Sequence, residues 1–71
     1  MGNVKKKLIA MLLQEAQAQK SKALLTLELL TEHAAGIGDH STGDFYKNAE
    51  EALQMLVDAD DKIETLQKYF S

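Results

Sequence analysis

The chain contains no cysteine, no proline, no tryptophan and no arginine. Without cysteine there is no disulfide, no thiolate zinc site and no iron–sulfur cluster. Without proline, nothing inside a long helix forces it to break. Without arginine, the bidentate contacts that read guanine and grip phosphate are missing, which weighs against nucleic-acid recognition. Glycine is scarce: three of the four glycines fall in one window, Gly36-Ile-Gly-Asp-His-Ser-Thr-Gly43. Long apolar runs are absent too. The longest, Leu8–Leu13, has six residues, far from the roughly 20 that a membrane-spanning helix needs. At 71 residues the chain holds one domain at most. So short a chain rarely buries enough apolar surface to stand alone, and with disulfides and thiolate metal sites excluded the remaining aid is oligomerisation.

What is present is charge, unevenly placed. Eight lysines against eleven acidic residues give a net charge of −3. Residues 1–22 hold five of the lysines (Lys5, Lys6, Lys7, Lys20, Lys22) and one acid, Glu15. The rest of the chain holds three lysines and ten acids. A basic arm of this kind suits a nucleic acid or an anionic membrane surface, and it equally suits antiparallel pairing between chains. Common targeting signals are not matched. The apolar residues after Lys5–Lys7 run straight into Gln14 and Glu15, which is no signal-peptide core. Lys6 stands where a myristoylation signal needs Ser or Thr. The expected setting is cytoplasmic, with a surface-lying amphipathic segment at residues 3–13 as the membrane alternative.

The glycine window separates two segments rich in Ala, Leu, Glu, Gln and Lys, all good helix formers. The spacing predicts an all-α fold in a single domain over residues 1–71: a helix over about 3–35, a loop over 36–43 and a helix over about 44–69. Gly36, after Ala34 and Ala35, suits the left-handed position that ends a helix. Ser41, Thr42 and Asp44 are alternative caps for the second helix, and Asp44 places negative charge where the helix dipole favours it. A short loop returns the second helix antiparallel as a hairpin. At 1.5 Å per residue the helices span about 50 and about 40 Å, so the first projects beyond the second by about two turns, over Val4–Ala10.

The apolar spacing is that of a coiled coil. In the second segment Phe45, Ala49, Ala52, Leu56, Ala59, Ile63, Leu66 and Phe70 recur at steps of four and three without a break, an unbroken heptad seam. In the first, Ile9, Leu13, Ala16, Lys20, Ala23, Leu27, Leu30, Ala34 and Ile37 follow the same rule, with Lys20 as the single fault. The expected intrachain core is therefore Ile9, Leu13, Leu27, Leu30, Phe45, Leu56, Ile63, Leu66 and Phe70. The interleaved alanines would allow close helix approach. Leu8, Met11, Leu12, Leu24, Leu25 and Leu29 lie off this stripe. One partner helix cannot cover both sides of the first helix, and a monomer rarely exposes so large a set. These six residues are the expected oligomer interface, with a dimeric four-helix bundle as the simplest assembly.

Motifs that would carry other chemistry fail on inspection. Gly38 and Gly43 have the spacing of a phosphate loop, but Asp44 stands where lysine is required. Glu32, His33, Asp39, His40 and Asp44 crowd the loop without a recognised metal-ligand spacing. The cluster Asp58, Asp60, Asp61 and Glu64 has Ile63 where a calcium loop needs glycine. Neither histidine has a glutamate three residues before it, as a di-iron bundle requires. Ser41 beside His40 lacks an orienting third group. The expectation is a non-enzymatic protein with no cofactor, no metal and itself as partner. The alternative is nucleic-acid or membrane-surface binding through the basic N-terminal segment.

The loop text Gly36-Ile-Gly-Asp-His40 lies between a leucine-rich helix and an acidic helix that carries Asp-Lys-Ile-Glu-Thr-Leu at residues 61–66. Over roughly residues 23–69 this resembles small uncharacterised helical proteins of T4-like marine phages, the cyanophages among them. The resemblance implies a phage-encoded accessory protein made in the cytoplasm of a bacterial host. It carries no activity and no site residues.

Overall fold

The computed structural model describes residues 2–32 and 42–71, which form two α-helices: α1, Gly2–Glu32, and α2, Thr42–Phe70. The expected caps and turn at Ala34, Gly36, Ile37 and Ser41 lie outside the described residues. Helix α2 begins at Thr42, two residues before the expected start, and runs through Phe70. Gly43 is thus helical rather than loop punctuation, and the space where its side chain would stand is open. Asp44 falls in the first turn of α2 and Lys68 in the last, each matched to the adjacent pole of the helix dipole.

The two helices pack side by side and antiparallel, and the polar contacts across the seam fix their register. Lys20 Nζ lies 3.0 Å from Asp60 Oδ1. Lys62 Nζ donates to Gln19 Oε1 at 3.4 Å. The grooves agree: Leu12 and Ala16 share one with Lys62 and Leu66, and Ile9 and Leu13 share another with Leu66 and Phe70. In this register each position of the α1 stripe comes level with a position of the α2 seam. Leu13 meets the level of Leu66, Ala16 that of Ile63 and Lys20 that of Ala59. Ala23 is level with Leu56, Leu27 with Ala52 and Leu30 with Ala49. Five of these six layers pair an alanine with a long side chain. The small partner lets the helices approach, and the long one fills the space that the alanine leaves.

Burial follows from that pairing. Ala16, Ala23, Ala52 and Ala59 are buried, and among the described residues no large side chain is fully enclosed. Ile9, Leu13, Leu27, Leu30, Phe45, Leu56, Ile63 and Leu66 are half-buried. Phe70 departs from the expected core, being 50% exposed. It is the last residue of α2, level with Ile9 at the open end of the hairpin, and it lines a groove shared with Lys5 and Lys6 that no further element of the described residues covers. Helix α1 projects past it by the residues before Ile9, about 10 Å at the α-helical rise.

The structure also accounts for the fault in the stripe. Lys20 is half-buried at the level of Ala59, which is completely enclosed. Its four-carbon stem lies along the seam while its ammonium group reaches the carboxylate of Asp60 at the rim. Both side chains of the pair remain substantially exposed, 44% and 51%, so the ion pair itself contributes little, about 0–1 kcal/mol. Thr26 donates its hydroxyl to the Lys22 carbonyl one turn back on α1 at 2.8 Å, an exposed bond within the helix.

Two substitutions test the layer pairing by chemical denaturation. Leu56→Ala should cost about 2 kcal/mol, the lower end of the range for core leucines because Leu56 is only half-buried. Ala23→Leu, on the opposite side of the same layer, should cost about 1–3 kcal/mol by forcing the helices apart. Lys20→Met keeps the stem and drops the charge, and should move stability by less than about 1 kcal/mol.

Candidate functional site

Helix α2 has its apolar residues on one main side, whereas α1 carries them on several. The seam uses one side of α1. On its outer side Val4, Leu8, Met11, Ala18, Leu25 and Leu29 are all exposed. Glu15 and Lys22 complete their line, and the eight positions recur at steps of four and three. They form a second heptad stripe about opposite the first. Leu25 is 56% exposed and Leu8 51%, so the hairpin leaves this stripe to solvent.

The six residues expected at an oligomer interface are all exposed, and they do not share one face. Leu8, Met11, Leu25 and Leu29 lie together on the outer stripe. Leu12 lies at one flank of the seam, in the groove with Lys62 and Thr65. Leu24 lies at the other flank, the side of the seam on which Leu53 of α2 is also exposed. Val4, 74% exposed, belongs to the outer stripe and was not among the expected six. Its signal was its place four residues before Leu8. On α2, Tyr46, Leu53, Val57 and Tyr69 are exposed as well. Tyr46 stands edge-on to Phe45 with ring centroids 5.7 Å apart, and the Lys68 ammonium lies 5.4 Å from the centre of the Tyr69 ring.

The basic segment lies on the projecting end of α1. Lys5, Lys6 and Lys7 are helical and exposed, and Lys5 and Lys6 border the groove formed by Ile9, Leu13, Leu66 and Phe70. No helix of the described residues is long and apolar enough to cross a membrane. Among the described residues no group of three or more His, Asp or Glu side chains converges as metal ligands would. His33, Asp39 and His40, the remaining metal candidates, lie outside the described residues. Comparison with protein-family models, with curated proteins and with solved structures finds no match.

Since the outer stripe takes no part in the seam, Leu25→Ala should leave the hairpin's own folding nearly unchanged. Denaturation in the dilute limit should show a change below about 0.5 kcal/mol, as for ordinary surface sites, against about 2 kcal/mol for Leu56→Ala.

Proposed function

We propose that this protein is a non-enzymatic interaction protein that acts as a homo-oligomer, in its simplest form a dimer of hairpins with four helices. The observation that supports it most directly is the outer stripe of α1, apolar at both ends and left uncovered by α2. A surface of that kind costs solubility and stability unless a partner covers it. The resemblance to small T4-like phage proteins adds an accessory role in the cytoplasm of an infected bacterium. The residues assigned to the interface are Val4, Leu8, Met11, Leu25 and Leu29 of the outer stripe; Leu12 and Leu24, on the flanks of the seam, lie away from it.

Static light scattering at micromolar concentration tests the reading. The expected mass is twice 7.9 kDa or a higher multiple. A helical species of 7.9 kDa would overturn it.

A second reading rests on a separate observation, the three exposed lysines Lys5, Lys6 and Lys7 beside an apolar groove at the free end of the hairpin. In that reading the projecting end of α1 lies on an anionic surface, a vesicle or a nucleic acid. Binding to anionic vesicles or duplex DNA that weakens steeply with salt would support it. No salt-dependent binding to either would remove it.

A further inference from the structure

We propose that a second copy of this chain docks antiparallel along the outer stripe of α1, in one register set by apolar ends and a charged middle. This rests on the homo-oligomer reading and gives it a geometry.

The stripe is self-complementary when reversed. Its steps of four and three match their own reversal when Leu8 of one copy is level with Leu25 of the other. Val4 then faces Leu29, and the same pairs recur at the far end by two-fold symmetry, as an isologous interface requires. Toward the dyad Met11 comes level with Lys22, whose long stem can lie over the thioether while its ammonium reaches water. At the dyad Glu15 faces Ala18, and the small side chain permits close approach there.

Charge selects this arrangement over its competitors. Beside the stripe on the same flank stand Lys7 and Glu28, both exposed. The antiparallel register brings Lys7 of each copy beside Glu28 of the other. A parallel pairing would stack Glu15 on Glu15 and Lys22 on Lys22, and like-charge juxtaposition suppresses wrong partners. Sliding the copies by one heptad in one direction sets Leu8 against Glu32 and Glu15 against Leu25. Sliding them in the other leaves Leu29 uncovered. The contact would run from Val4 to Leu29, about 38 Å of helix. In this assembly the two α1 helices are central and the two α2 helices lie outside.

The absence of cysteine makes disulfide mapping direct. Leu8→Cys and Leu25→Cys are prepared separately, mixed in oxidising buffer and resolved by mass, with light scattering run on the unmodified chain in parallel. The expected result is a mixed disulfide between the two variants and little of either homodimer. A dimeric wild type with no mixed disulfide, or with Leu8→Cys coupling to itself, overturns the register while leaving the oligomer reading in place. A monomeric wild type overturns both. Charge reversal gives an independent readout that does not depend on thiol chemistry. Lys7→Glu should weaken the dimer about 10-fold, since two pairs are reversed. Lys7→Glu with Glu28→Lys should restore it. Failure of the double variant to recover, with circular dichroism showing intact helix, would overturn the Lys7–Glu28 contact.

Discussion

The hairpin depends on small side chains at the helix contact. Four of its layers set Ala16, Ala23, Ala52 or Ala49 against a leucine or isoleucine, and a fifth sets Ala59 against the stem of Lys20. Alanine on one side of each layer lets the backbones come close, and close approach is what encloses the four alanines that form the buried centre. The same geometry limits the fold. Two helices present only one contact line, so the long side chains that face the alanines are wrapped on one side and wet on the other. A layer of this kind gains packing and helix proximity but keeps much apolar area in water. The open end shows the limit most clearly, where Ile9, Leu13, Leu66 and Phe70 surround a groove rather than a core.

That limit links the internal packing to the outer surface. A chain of this size holds little stability in reserve. Here the shortfall shows in the core, where no large side chain among the described residues is fully enclosed. The surface most able to make it good is the outer stripe of α1. In the proposed assembly α1 would have helix neighbours on both sides and become the structural centre, while α2 supplies the acidic outer face through Glu50, Glu51, Asp58, Asp61 and Glu64. The asymmetry of charge along the chain then has a structural use: lysines near the start of α1 and acids near its end meet only when two copies run in opposite directions.

Much of the fold was legible in the spacing. The uninterrupted sequence from Phe45 to Leu66 identified one face of α2, and the four buried residues among those described, Ala16, Ala23, Ala52 and Ala59, all lie on the two stripes read from sequence. The layer-by-layer pairing was not legible, because periodicity within each helix does not set the register between them. That required the contacts of Lys20 with Asp60 and Gln19 with Lys62. Lys20 looked like a fault because a binary pattern treats lysine as polar, whereas its stem is apolar and long enough to cover Ala59. Phe70 was misplaced for the opposite reason. Its spacing is right, but it stands at the last turn of α2, where the seam has run out of covering side chains. Of the surface residues, exposure was foreseen but grouping was not: Leu12 and Leu24 fall on opposite flanks, and Val4 joins the outer stripe.

If the hairpin relies on a second copy to complete its packing, its stability must depend on concentration by mass action. Thermal unfolding followed by far-ultraviolet circular dichroism over about a hundredfold range of protein concentration measures this directly. A midpoint that climbs steadily with concentration is the expected result. A cooperative transition whose midpoint is the same at every concentration would show that the two helices suffice alone, and would contradict the dependence on assembly.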